Sequence, residues 1–159
     1  MNADLILWRH AEAEDLSDNE ETGGNDLSRR LTPKGEKQAA RMAAWLQQRL
    51  PDDARVWSSP AVRTEQTVLA LERKYRLSDQ LRPDATPDDL LGLLQWPQLR
   101  HPALIVGHQP TLGRVVSRLL GLNEGDCSIR KGSVWWLRQR ERHGQLQTVI
   151  VTVQTPEFI

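Results

Sequence analysis

Cysteine is almost missing from this chain. The lone Cys127 rules out an intramolecular disulfide, and without a Cys pair or a CxxC there is neither a disulfide framework nor a thiolate zinc site. Cys127 also lacks the flanking signature of a phosphate-cradling thiolate loop, so an inert thiol is the expected reading. A charge excess is missing too. Lys plus Arg and Asp plus Glu number 21 each, so the net charge is zero and gives no global attraction to nucleic acid or a membrane surface. Any electrostatic recognition has to be local. Long apolar runs are missing as well: Leu5–Trp8 is too short for a membrane span or a signal core, and no basic segment precedes it. Cytoplasm is the expected compartment. Phe and Tyr occur once each against six Trp, which are expected in the core or at its rim.

The 159 residues suffice for one domain with a real core and are too few for two comfortable ones, so a single domain over 1–159 is expected. Plentiful aliphatics with 26% charged residues exclude a disordered chain.

Leu5-Ile6-Leu7-Trp8 reads as a strand covered on both faces, and it stops abruptly at Arg9-His10. The segment from Glu12 to Asp26 carries seven acidic residues and no basic one, with Gly23-Gly24-Asn25 as turn chemistry. A solvated acidic loop is the expected reading; the sharper alternative is a flap whose charge selects among phosphorylated partners. Thr32-Pro33 opens a helix with Ala39, Met42, Ala43, Leu46 and Leu50 at helical spacing before Pro51. Arg55-Val56-Trp57 is a short strand. Ser59 as N-cap and Pro60 at the first position open a second helix with Arg63 in its first turn, and Val62, Leu69 and Tyr75 mark one face. Thr86-Pro87-Asp88-Asp89 starts a third helix ending near Trp96-Pro97, with Asp89 in a capping box and both acids explained as helix-start charges.

Pro102–Gly107 is a second buried strand, ending at His108, and Pro110 begins a helix that stops at Gly121. Ser133–Leu137 and Gln147–Val153 are strands around His143-Gly144. The order strand-helix-strand-helix-helix-strand-helix-strand-strand predicts an α/β fold: a three-layer α/β/α sandwich with a mostly parallel central sheet and an antiparallel edge.

Three segments share one grammar, an apolar strand followed by a cationic or imidazole side chain at its exit. If the strands are parallel neighbours, Arg9, His10, Arg63 and His108 converge at one end of the sheet, where open α/β sheets bind ligands. Two guanidiniums and two imidazoles there would suit a dianionic phosphoryl group. Each residue also has a plain structural reading. A strand-end His is often a satisfied rim residue, and Arg63 could pair with Glu65 or Glu72. His10 and His108 could ligate a metal, but no third His or close carboxylate has ligand-like spacing, so neither metal nor cofactor is expected. His101 and His143 are expected at the surface.

Arg9-His10, Leu31-Thr32 followed by Gly35, Ser59-Pro60 with Arg63 and Gln66-Thr67, and Val106-Gly107-His108-Gln109-Pro110 resemble the histidine phosphatase superfamily, whose fold is that of phosphoglycerate mutase. The short chain, the Arg-His-Ala-Glu-Ala wording and the lack of a large inserted helical subdomain resemble its SixA-type phosphohistidine phosphatases. The resemblance runs from Leu5 to Thr155-Pro156-Glu157. Ala11 stands where most of the superfamily has glycine, as SixA-like members tolerate. Larger relatives carry a proton-donating glutamate between the second arginine and second histidine. Here only Asp84, Asp88 and Asp89 lie in that region, with Asp84 a candidate weak donor or a plain turn residue.

The resemblance implies His10 as nucleophile through a phosphohistidine intermediate, with Arg9, Arg63 and His108 binding the phosphoryl group. It implies a histidine-phosphorylated partner such as a phosphotransfer domain, with phosphate ion as product. A site short of a strong acid suits phosphohistidine, because imidazole leaves more readily than an alkoxide. A phosphatase for small phosphomonoesters using Asp84, or a non-catalytic phosphate-binding module, are the alternatives.

Overall fold

Leu5, Ile6, Leu7 and Trp8 are each 0% exposed, and their side chains alternate between two cores. Ile6 and Trp8 join one core, Leu5 and Leu7 the other, so this strand lies between two helical layers. The structure, a computed structural model, describes residues 3–15, 25–123 and 125–159.

Ten elements carry the fold: β1 (Ala3–Arg9), α1 (Pro33–Gln47), β2 (Arg55–Ser58), α2 (Val62–Leu69), β3 (Arg76–Leu77), α3 (Pro87–Leu94), β4 (Ala103–Gly107), α4 (Thr111–Leu120), β5 (Val134–Arg142) and β6 (Gln145–Gln154). The six strands form one sheet in the order β3-β2-β4-β1-β5-β6. Strands β1 to β4 run parallel, while β5 and β6 are antiparallel additions. This is the expected mixed sheet.

Helices α1 and α2, with Leu71 just beyond α2, cover one face through Met42, Ala43, Leu46 and Val68 against Trp8, Leu104 and Trp136. Helices α3 and α4 cover the other through Leu90, Leu94, Leu112, Val115 and Val116 against Leu7, Ile105 and Leu137. No helix among the described residues is long and apolar enough to cross a membrane.

Local chemistry explains most boundaries. Thr32 caps α1, its hydroxyl accepting from the Gly35 N–H at 3.0 Å. The Thr86–Asp89 capping box forms in both directions. Gly121 ends α4 with φ 69°, a left-handed conformation that glycine adopts without strain. His143 and Gly144, both at positive φ, make the two-residue turn between β5 and β6.

Three boundaries differ from expectation. Helix α2 begins after Ala61, not Ser59, and has no side-chain cap, because the Ser59 hydroxyl is engaged elsewhere. Helix α4 begins at Thr111, with Pro110 in the capping position. The two residues of β3 were not foreseen; they are strand only because Trp57 and Ser58 offer a free edge. Of the acidic loop, residues 16–24, including Gly23-Gly24, lie outside the described residues. Its described end folds into a 3-10 turn, Asp26–Ser28, capped by the Asn25 side chain.

Candidate active site

The parallel register sets the exits of β1 and β4 side by side, with Arg9 opposite Gly107. The His10 amide donates to the Gly107 carbonyl at 3.1 Å, so the chain leaves both strands at one level. Beyond β2, the Ser59 amide donates to the Val106 carbonyl at 3.1 Å and extends that rim. Arg9, His10, Arg63 and His108 therefore meet as expected at the carboxyl ends of the parallel strands, around a cavity of about 180 Å³.

His10 is 6% exposed, and its Nδ1 lies 2.7 Å from the Ala11 carbonyl oxygen. A carbonyl only accepts, so Nδ1 carries the proton and the Nε2 lone pair is left bare. Burial, together with Arg63, Arg9 and Arg29, pushes the imidazole pKa down to about 3, against the opposing pull of the Ala11 carbonyl. The ring is neutral.

His108 is 2% exposed, and its ring centroid lies 5.4 Å from that of His10. Its Nδ1 is 3.3 Å from Arg63 Nη2, and its Nε2 is 2.8 Å from Ser59 Oγ. A guanidinium only donates, so Nδ1 is the acceptor and Nε2–H points at Ser59. Burial, then His10 and the guanidiniums, pull this pKa down to about 2.

Arg63 lies in the first turn of α2 and is 3% exposed. It pairs with neither Glu65 nor Glu72. Nη1 donates to the Asp26 main-chain oxygen at 2.8 Å, and Nη2 donates to Asp26 Oδ2 at 3.1 Å. Glu65 instead accepts from the Tyr75 hydroxyl at 2.7 Å. Arg9 Nη1 donates to the Ile129 carbonyl at 2.8 Å, while the Nε atoms of Arg9 and Arg63 are buried without a partner. Two buried donors with nothing to bond to are costly unless a ligand meets them.

The other motif residues tie the segments together. The Thr67 hydroxyl accepts from the Ala11 amide at 3.1 Å and donates to the Arg63 carbonyl at 2.7 Å. Gln66 Oε1 accepts from the Leu31 amide at 2.7 Å. Gln109 reaches the Gly113 amide at 2.7 Å and the Cys127 carbonyl at 2.8 Å. The Gly132 amide lies 3.1 Å from the Arg9 carbonyl and 2.9 Å from that of His10.

Asp84 is exposed in a turn and does not line the cavity, although its neighbour Pro83 does. Asp88 and Asp89 both stand in the first turn of α3, where Asp89 accepts from the Thr86 amide and Asp88 pairs with Arg118, and neither lines the cavity. His101 sits beside Asp53 at 3.5 Å, at the surface. Among the described residues no group of three or more His, Cys, Asp or Glu could hold a metal. The larger groove of about 830 Å³, along Ala54–Trp57 and Arg73–Arg76, contains none of the converging residues.

Sequence reasoning missed several members of the lining: Arg29, Lys131 and Asp15. Arg29, two residues before Leu31-Thr32, was the readable one, since a cation closing an acidic run calls for a reason. Lys131 comes from a loop with no local signal.

A model of the histidine phosphatase superfamily (branch 1) matches residues 5–85, half of the chain, including Arg9, His10 and Arg63. The chain belongs to the histidine phosphatase superfamily. No curated protein matches the sequence. Solved structures share the superfamily fold over nearly the full length. A protein from Nakamurella multipartitia assigned as the phosphohistidine phosphatase SixA is 24% identical, with a TM-score of 0.78 over 98% of this chain and 97% of that one. One from Agrobacterium tumefaciens with the same assignment is 22% identical, with a TM-score of 0.79 over 96% and 97%. The protein histidine phosphatase SixA complexed with tungstate is 20% identical, with a TM-score of 0.76 over 96% and 97%. Among the described residues the chain carries no large helical insertion.

Proposed function

We propose that this histidine phosphatase removes the phosphoryl group from a histidine of a phosphorylated signalling protein, such as a phosphotransfer domain. The observation that carries this reading is the fixed tautomer of His10: Nδ1–H is held by the Ala11 carbonyl, and neutral Nε2 lines a cavity of guanidiniums. In the first step the Nε2 lone pair attacks phosphorus, the bond from phosphorus to the substrate nitrogen breaks, and the leaving imidazole takes a proton. In the second, water attacks phosphorus, the Nε2–P bond breaks, and phosphate ion and a proton are released. Arg9 and Arg63, with the Nε2–H of a reoriented His108, stabilise charge on the equatorial oxygens. No metal or cofactor is needed, and the cytoplasm is the compartment in which such partners are met.

Two observations support a protein phosphohistidine as substrate. At about 180 Å³ the cavity is smaller than the roughly 300–1,000 Å³ of pockets that enclose a whole small ligand, so the rest of the substrate stays outside. Asp84 stands clear of the lining, and a nitrogen leaving group is the kind that does without a strong acid. Hydrolysis of a phosphohistidine-carrying phosphotransfer domain is the test, with rapid acid-labile labelling of His10 as a second readout. Wild type should turn over and become labelled, and His10→Ala should lose about 1,000-fold or more. Full activity in that variant would remove the nucleophile assignment, and a binding module would never label.

Small phosphomonoesters are the second reading, favoured by the contact of Pro83 with the cavity, one residue from Asp84. Equal kcat/KM on aryl and alkyl phosphates, with the alkyl rate lost in Asp84→Asn, would establish it. On the phosphohistidine reading Asp84→Asn changes the rate on the phosphoprotein less than twofold.

A further inference from the structure

The phosphate cavity already has an anion at its edge. Both oxygens of the Asp26 carboxylate bond guanidiniums that line the cavity: Oδ2 accepts from Arg63 Nη2 at 3.1 Å, and Oδ1 accepts from Arg29 Nε at 3.1 Å. The Asp26 main-chain oxygen takes Arg63 Nη1 at 2.8 Å. Arg63 thus spends its terminal nitrogens on Asp26 and His108, and only its buried Nε is left without a partner. A guanidinium offers phosphate the same planar pair of donors that it offers a carboxylate.

The two partners differ in freedom. The Arg63 side chain is 3% exposed and held by the core, whereas that of Asp26 is 41% exposed. Rotation of the Asp26 side chain into water frees Arg63 Nη2 and Arg29 Nε together, without moving either arginine. The carboxylate stays tethered by its own main chain, so it is at high effective concentration for return.

We propose that Asp26 is a resident anion at the edge of the cavity, which an incoming phosphoryl group must displace from Arg63 and Arg29. Binding is then an exchange. A singly charged carboxylate or chloride replaces like with like and gains little, while a dianionic phosphoryl group gains a second charge among Arg9, Arg29, Arg63 and Lys131, which outnumber the lining carboxylate of Asp15. The returning carboxylate also helps expel the phosphate product. The proposal rests on the phosphate-binding reading of this cavity, and it adds a discrimination step.

A merely structural Asp26, which only held the guanidiniums in place, would have the opposite signature. The deciding experiment titrates inorganic phosphate and acetate into wild type, Asp26→Asn and Asp26→Ser by calorimetry at low ionic strength, with thermal melting to confirm that both variants fold. Loss of the resident charge should tighten phosphate about tenfold or more and make acetate binding measurable, with stronger phosphate inhibition of turnover. Unchanged or weaker phosphate binding in a folded variant overturns the proposal. Hydrolysis of phosphohistidine protein is measured in parallel. Tighter phosphate without any such hydrolysis would refute only the substrate assignment, and hydrolysis with unaltered phosphate affinity would refute only the resident anion.

Discussion

His10 and His108 face one another with ring centroids 5.4 Å apart and planes at 55°, and neither ring is protonated at neutral pH. Burial is the first reason, and the three arginines nearby add to the cost of a positive charge on either ring while they draw an anion to the cavity.

Folding stability should therefore depend on pH through these two rings. Their native pKa values are depressed to about 3 and about 2, while in the unfolded chain both titrate near 6.5. Above 6.5 neither state binds protons and the contribution is constant. Below 6.5 the unfolded state takes up two protons that the native state refuses, so stability falls with falling pH, by at most about 3 kcal/mol per unit. Urea unfolding between pH 7.5 and 4.5 should show this slope, with about half the histidine part missing in His108→Asn. An identical pH dependence in that variant would contradict the neutral pair.

Arg63→Lys keeps the positive charge and removes the fork. Nη1 and Nη2 of Arg63 serve Asp26 and His108 at once, which a single ammonium on a shorter-reaching geometry does not reproduce. Steady-state turnover of the phosphohistidine protein should fall about 100-fold in kcat/KM, as when one preorganised donor is lost from a charged transition state. Near wild-type turnover would mean that charge alone suffices at this position.

The four converging residues were legible because each stands next to a strong local signal. Arg9-His10 follow the buried run Leu5–Trp8 and His108 follows the fully buried β4, and Arg63 follows the Ser59-Pro60 signal. Asp26 and Lys131 were not, because long-range contacts bring their loops in: Leu31 is held by Gln66 and Gly132 by the carbonyls of Arg9 and His10. Ser59 shows how a correct pattern gives a wrong boundary. Ser-Pro reads as a cap, but the hydroxyl accepts from His108 and the helix starts later. The layers followed from hydrophobic periodicity, while β3 is too short to carry any period of its own.

Gly35 holds α1 against the segment after His10. A Cβ built there would lie 2.0 Å from the Glu12 carbonyl oxygen, a main-chain atom that also accepts from the Thr32 amide at 3.0 Å. Neither group can yield separately, so Gly35→Ala should displace the His10 loop. Overpacking of this kind costs about 3 kcal/mol, on the order of 6–12 °C in Tm for a chain of this length. Thermal melting checks the first effect and turnover the second; a variant that melts like wild type would show that the loop gives way freely.

Ser59 is 0% exposed, and its Oγ is the acceptor that keeps the Nε2–H of His108 satisfied. The same oxygen accepts from the Ala61 amide at 3.3 Å, so it fixes both the imidazole and the start of α2. Ser59→Ala leaves a buried N–H without a partner, at a cost of about 1–3 kcal/mol. The imidazole is then free to turn while Arg63 still donates to Nδ1. With Arg9 and Arg63 as the proposed phosphate binders, KM should change little, and kcat should fall about tenfold as the His108 ring loses the contact that holds it beside His10. Turnover on a phosphohistidine protein, with unfolding measured on the same preparation, separates the two effects. Loss of stability with unchanged kcat would reduce Ser59 to a structural residue, whereas a drop in kcat alone would show that this hydroxyl holds the His108 ring in place for the turn that brings Nε2–H to the transferring group.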